Sequence, residues 1–523
     1  MKISLNLQEK KKFNKHFQFG IGSGHAPLAL RKDYCEQLKF IHDSLGIKRV
    51  RFHGIFCDDM NVVRKLSDIV PVPGADRFQD VNFSRIGEVY DNIIECGMDP
   101  IVELSFMPSH LAKNPEQKLM LYYDACTSMP RDDEEWSNFI KDFVKFLIER
   151  YGKIKVESWL FEVWNEPDLI VFFGGTKDDY FHLYEITSKA IKEVDPAIKV
   201  GGPATSGSKW INDFLAYVKK NNLPLDFIST HQYAGDPIAN IDGNNLEAKE
   251  QSGSSPFSNP NILKDVDDGS ILSGLRSIFI DKSELREIRN DSIICNSKQV
   301  KEISENLSVY YTEWNENATF SAYTNDTRKV SSFIIMTSLK IDEYVSGTSL
   351  WCFSDIFEEL HMFNEEFHGG FGVMTRHGIL KPSYYALKFL ASVGDERYVL
   401  DDIYEDITLA AFDKQDEVQI LITRQNMKNL FDAPKKEVSI ELNLNAKGIL
   451  IEGITDESGN PLKEYEKMNS PKYLTKNQIN EIKVKSMVIE QPIDFENICG
   501  NVSFKLSLGI NDSYLVKIKK VIL

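Results

Sequence analysis

The sequence predicts an α/β chain: a (β/α)8 TIM barrel with an additional C-terminal β-sandwich domain. Three observations carry the prediction. Strand-like and helix-like segments alternate from about residue 17 to residue 395. The alternation runs to eight strand candidates, the number that closes a parallel barrel. After residue 396 the texture changes to alternating apolar and polar positions broken by turn signals, the pattern of half-buried antiparallel strands.

The elements follow in order. Residues 1–16 open with MKISLNL, whose alternation suits a strand lent to the sandwich. The barrel, 17–395, takes its strands from FQFGIGSG (17–24), IKRVRFHGI (47–55), DPIVELSFM (99–107) and ESWLFEVWNE (157–166). The other four are IKVGGPATS (198–206), LDFISTHQY (225–233), SVYYTEWNE (308–316) and YVSGTSLWCFSD (344–355). Apolar spacing near 3.6 marks helices between them at 84–96, 134–150, 178–194, 209–220 and 326–341. A last helix, 381–395, has a proline in its first turn and ends at Gly394. A long insertion, 235–303, rich in Gly, Ser, Asn and Pro, follows the sixth strand and either shapes or covers a pocket there or is a flexible insertion without a role. The sandwich, 396–523, draws strands from 406–424, 436–445, 447–456, 480–490, 502–510 and 513–523.

Composition excludes several functions. The 523 residues hold 78 acidic and 61 basic side chains, a net charge of −17, which disfavours nucleic acid and anionic membranes as partners. No apolar run is long enough to span a bilayer, and the N-terminus lacks the features of a signal peptide. The seven cysteines are odd in number and form no CxxC, which suits free thiols in a reducing compartment. A cytoplasmic protein is the expectation.

Two strand ends carry unusual charge. FEVWNEPDL (161–169) places Glu166 beyond an apolar stretch, and VYYTEWNEN (309–317) places Glu313 at the end of the seventh strand. Strand parity puts Glu162, Trp164 and Glu166 on one face, and Val309, Tyr311 and Glu313 on another. Taken singly, Glu166 reads as a cap or surface group and Glu313 as an ion-pair partner. Together they sit at the barrel end where catalytic groups gather, on strands roughly opposite each other. Facing carboxylates suit glycoside hydrolysis, one as acid and the other as nucleophile or base. Arg51 shares a face with His53, where it either neutralises Glu162 or holds Glu313 ionised. Glu358, Glu359, His361 and His368 fit no metal-ligand spacing, so no metal is expected. GSGHAPLALR (22–31) is not a G-x-G-x-x-G fingerprint.

Six stretches resemble glycoside hydrolase family 39, of the clan of retaining (β/α)8 glycosidases. They are GSGHAPLALR (22–31), RVRFHGIFCDDM (49–60), WLFEVWNEPDL (159–169), STHQY (229–233), YYTEWN (310–315) and the 353–390 segment from FSDIFEE to SYYALKFL. They stand in family order across about 17–395. The named members of that family are β-xylosidases and α-L-iduronidases. The resemblance implies a retaining exo-glycosidase acting on β-xylosides, with Glu166 as acid/base and Glu313 as nucleophile. It implies that Asn165 bonds the sugar 2-hydroxyl and that His53 and His231 bind sugar hydroxyls. Tyr233, Trp351, Glu358 and Glu359 would line the sugar subsite, with Arg51 and Tyr311 in support. No cofactor is implied; the partner is an oligosaccharide or glycoside, and family members often form homo-oligomers. Ala234 stands where the xylosidases commonly have proline. An iduronidase-like or other glycosidase, with Arg376 or Lys381 meeting a uronide carboxylate, stays open as an alternative. So does an inactive carbohydrate-binding protein.

Overall fold

Eight strands whose residues are buried on both faces close into a parallel barrel: β1 (Gly20–His25), β2 (Arg49–His53), β3 (Asp99–Glu103), β4 (Leu160–Glu162), β5 (Lys199–Thr205), β6 (Phe227–Tyr233), β7 (Ser308–Asn315) and β8 (Gly347–Leu350). Each pairs with its sequence neighbour, and β8 returns to β1 through Ser349 opposite Gly20 and Leu350 opposite Ile21. The computed structural model describes residues 1–119, 123–234, 236, 270–279, 291–359, 363–400, 406–425 and 433–521. Most of the 235–303 insertion therefore lies outside the described residues, apart from helices Ile271–Phe279 and Ser292–Ile303 and their flanks.

The helices lie outside the barrel because their apolar faces need the strands' outer sides. Helix Asp133–Tyr151 buries Trp136, Phe139, Ile140, Phe143, Val144 and Leu147, at spacings of three and four. Asp132 caps its first turn by accepting from the Glu135 amide at 2.8 Å. A reciprocal capping box between Thr176 and Asp179 starts helix Lys177–Val194. Helix Pro382–Ser392 begins on a proline, as expected.

Behind the barrel two sheets face each other. One orders its strands Lys2–Leu5, Lys436–Leu442, Asn501–Leu508 and Phe495–Ile498. The other contains Ala446–Ile454, Ser513–Lys520, Glu417–Arg424 and Ile407–Lys414, and extends through Glu396–Tyr398 to Lys10–Lys12. Alternate residues of each meet in one apolar core, among them Ile3, Leu5, Val418, Ile420, Val438, Ile440, Phe504 and Ile518. The N-terminal strand pairs in parallel with Lys436–Leu442, Lys2 opposite Ser439. One segment departs from expectation. Residues 480–490 were expected as a strand, yet Lys476–Lys485 is a helix. Thr475 and Gln478 form a capping box there, and only Ile482 is buried while Val484 faces solvent. The alternation was real, but no neighbouring strand buries its apolar side.

Buried ion pairs fasten the top of the barrel. Lys381 Nζ lies 2.6 Å from both Asp326 and Asp355 and donates to the Gly370 carbonyl. It joins the turn before helix Arg328–Ile341, the segment after β8 and the start of the last barrel helix. Replacing Lys381 with Met leaves two buried carboxylates unpaired, which costs about 3–5 kcal/mol. The expected result is a markedly lower denaturation midpoint for Lys381→Met, with no change for exposed Lys485→Met, measured by circular dichroism in denaturant.

Candidate active site

The site is built upward from an arginine. Arg51, near the end of β2, is wholly buried among three carboxylates and an amide. Its Nε donates to Glu162 at 2.6 Å, and its terminal nitrogens reach Glu103 at 2.8 Å, Glu313 at 3.1 Å and the Asn165 side-chain oxygen at 2.9 Å. Both roles weighed for Arg51 therefore occur at once. Thr312 donates to the second oxygen of Glu162 at 2.7 Å. Glu103 went unnoticed in the sequence, although a single carboxylate inside IVELSF carries the same signal as Glu162 in its apolar strand.

Glu313 sits above this floor, 5% exposed and surrounded by donors. One oxygen faces Arg51 at 3.1 Å and His53 Nε2 at 3.3 Å. The other accepts from the Tyr233 hydroxyl at 3.0 Å and lies 3.4 Å from His231 Nδ1. Burial by itself would raise the carboxyl's pKa. The charge of His231, the His53 hydrogen bond and Arg51 outweigh it and bring it down to about 2. His53 bonds Glu103 at 2.7 Å on its other nitrogen. Burial disfavours its charged form, but Glu103 and Glu313 push its pKa up to about 10. Both ring nitrogens of His53 thus face carboxylates, where the resemblance implied a sugar-hydroxyl ligand.

Glu166 reaches the pocket by a route that strand parity did not describe. β4 ends at Glu162, and Trp164 and Glu166 both take left-handed backbone, with φ of 72° and 41°. Such residues cost roughly 1–3 kcal/mol each and persist only where the surroundings hold them. The Trp164 indole is buried against Phe106 and Phe173 and donates to the Phe172 carbonyl at 2.9 Å. The Glu166 amide donates to the Ala204 carbonyl at 2.9 Å. The turn points the Glu166 carboxyl at His231, whose Nδ1 donates to one of its oxygens at 2.9 Å. One carboxylate oxygen each of Glu166 and Glu313 and a ring nitrogen of His231 lie within 4.8 Å of one another. Burial, with the charge of Glu313 adding to it and His231 opposing it, lifts the Glu166 pKa to about 7.

The remaining residues divide. Trp351 lies 4.8 Å from the His53 ring, and a side chain on Gly22 would collide with its indole. Arg31 and the Tyr123 hydroxyl both bond Glu358, tying the segment after β8 to those after β1 and β3. Glu359 approaches Gly24 beside it. Tyr311 is not brought to the site. The β7 register slips between Tyr311 and Glu313, so its hydroxyl meets Ser208 at 3.2 Å while Thr312 and Glu313 both face inward. Arg376 spends its terminal nitrogens on the Phe363 and Asn364 carbonyls, and Lys381 is paired as described. His361, part of the metal reading, lies outside the described residues.

Two carboxyls of opposed acidity this close together in the mouth of a (β/α)8 barrel are the arrangement that retaining glycoside hydrolases use. The chain belongs to glycosyl hydrolases family 39, whose model matches residues 1–254 and 277–502. The β-xylosidase of Caldicellulosiruptor saccharolyticus is 34% identical over 528 residues, covering 99% of this chain and 98% of that protein. The β-xylosidase of Geobacillus stearothermophilus is 28% identical over 485 residues, covering 92% and 88%. The crystal structure of a monomeric β-xylosidase from Caulobacter crescentus CB15 superposes with a TM-score of 0.79 at 27% identity, over the full length of both chains.

The two pKa directions set a pH profile. An acid at Glu166 is active while protonated, so kcat/KM should fall as pH rises through about 7. A nucleophile at Glu313 would be active while ionised, and its loss would belong far to the acid side. Glu166→Gln should lower the rate on a glycoside with a poor leaving group by about 10²–10⁴-fold and remove the alkaline limb. Arg51→Gln should move the acid limb upward by more than about one pH unit, because Glu313 loses a cation. A pH series of kcat/KM for the three proteins is the measurement.

Proposed function

We propose that the chain is a retaining, exo-acting β-xylosidase that releases xylose from xylo-oligosaccharides. The observation that carries the reading is the Glu166–Glu313 pair, with oxygens within 4.8 Å and acidities driven apart by their neighbours. A gap of about 5–5.5 Å between carboxyl groups suits nucleophilic attack, whereas inversion needs about 6.5–9.5 Å to admit a water. In the first step a Glu313 oxygen attacks the anomeric carbon while Glu166 gives its proton to the departing oxygen. His231 occupies one Glu166 oxygen, which leaves the other to carry that proton. Once Glu313 is esterified its charge is gone, the Glu166 pKa falls, and Glu166 takes a proton from water as that water attacks. The products are the free sugar and a regenerated Glu313 carboxylate.

Asn165 is a donor to the sugar in this reading, since Arg51 takes its carbonyl oxygen and leaves its NH2 group for a hydroxyl. A neutral sugar fits better than a uronide because Arg376 and Lys381 are already engaged. The Arg31–Glu358–Tyr123 tie crosses one side of the mouth, as recognition of a chain end requires. We propose a cytoplasmic location, which the seven free thiols suit because they persist in a reducing compartment.

Glu313→Ala should fold normally and lose about 10⁴–10⁶-fold in turnover. Azide should restore activity with an inverted glycosyl azide as product, seen by NMR. A retained azide product sinks the assignment of the nucleophile. A panel of nitrophenyl glycosides tests the sugar: release from the β-xyloside is expected, and release from a different glycoside alone overturns the xylosidase reading.

A further inference from the structure

A second cluster lies beside the pocket and takes no part in the reaction above. His25 ends β1, and Cys57 and Asp59 follow β2. In the β1–β2 ladder His25 stands opposite His53. The His25 side chain is fully enclosed, Cys57 is 1% exposed, and the Asp59 carboxylate opens to solvent on one side. His25 Nε2 and Asp59 Oδ2 are 2.7 Å apart. The other Asp59 oxygen is buried and has no hydrogen-bond partner among the described residues. Gly54 takes a φ of 75°, and a Cβ built on it would lie 2.8 Å from both Cys57 Sγ and His25 Nδ1, so only a glycine lets the sulfur and the ring pack side by side there. A ring nitrogen, the sulfur and a carboxylate oxygen all fall within 4.8 Å of one another.

We propose that His25, Cys57 and Asp59 form a zinc-class metal site at the rim of the sugar pocket. Imidazole, thiolate and carboxylate are a ligand set that Zn²⁺ accepts in tetrahedral geometry, with water in the fourth position on the open Asp59 side. Bonds of about 2.0–2.3 Å set ligand atoms roughly 3.3–3.7 Å apart, so groups within 4.8 Å of one another need only local side-chain shifts to close on one ion. Binding forms the sulfur–metal bond as the Cys57 thiol releases its proton to solvent, so affinity should rise with pH. The nearest other groups are compatible with a cation. The Tyr123 ring lies tilted with its centroid 4.9 Å from that of His25, and Asp58 bonds Ser109 and Lys118 next door. The reaction itself needs no ion, so the site is one for modulation.

The test is a Co²⁺ titration of the full chain followed by near-ultraviolet and visible absorption. Expected are one Co²⁺ per chain, a sulfur-to-cobalt charge-transfer band, tetrahedral d–d bands and their loss when Zn²⁺ is added. Cys57→Ser should abolish the charge-transfer band while the six other thiols remain, and Asp59→Asn should weaken binding by at least about tenfold. Turnover on the glycoside reports that each variant is folded. If Cys57→Ser does not fold, His25→Gln and Asp59→Asn carry the comparison. No band in the wild type, or a band unchanged in every folded variant, overturns the site whatever the sugar specificity proves to be.

Discussion

The structure depends on a charge placed where charge is costly. Arg51 is fully enclosed in the barrel and bonded to Glu162, Glu103 and Glu313 as well as Asn165. An isolated ion there would be prohibitively expensive, and a single buried pair would at best break even. The arrangement persists because the guanidinium fork offers five donors in fixed directions and four side chains take them from three different strand ends. Arg51 thereby fixes β2, β3, β4 and β7 relative to one another at the height where the chemistry occurs. A lysine would supply the charge without the directions.

That floor also explains how one residue type serves two purposes. Glu313 and Glu166 are both buried, and burial alone would raise both. Glu313 receives Arg51, His53 and Tyr233, all oriented by bonds to other groups, and so stays ionised. Among the described residues Glu166 receives only His231, and it faces the negative charge of Glu313, so its proton is held into the neutral range. His231 touches both, and its attraction to each depends on the charge of the other. In the proposed reaction, esterification of Glu313 would remove its charge from beside Glu166, and a switch of Glu166 from acid to base would follow from the electrostatics of the pair.

Much of this was legible in the sequence, for physical reasons. Eight alternating units, the strand ends, the carboxyl pair and Arg51 could be read because barrels impose periodicity and buried charge stands out in apolar runs. Local backbone events could not be read. Parity fails at β4, where Trp164 and Glu166 turn into left-handed conformations, and at β7, where a bulge sends Tyr311 outward. Each is a tertiary compromise in which an aromatic is buried and a carboxylate redirected, and neither leaves a signature in composition. His53 and His231 were located, but their partners are set by the closure of the barrel, so what each nitrogen faces was invisible. The helix Lys476–Lys485 was missed because alternation was weighed above its capping box.

The strain at β4 and the bulge at β7 belong together. A carboxyl that simply ended its strand in register would point inward at the height of the floor, as Glu103 and Glu162 do toward Arg51, or out toward the helices. Turning Glu166 by positive φ after Glu162, and adding Thr312 to the inward face of β7, moves both groups off the regular lattice of strand positions. The residues left behind supply the restraint: Glu162 and Thr312 bond each other below, and Trp164 is locked in the core beside them. Regular barrel geometry holds the floor, and two local irregularities, each anchored to that floor, bring the two carboxyls together.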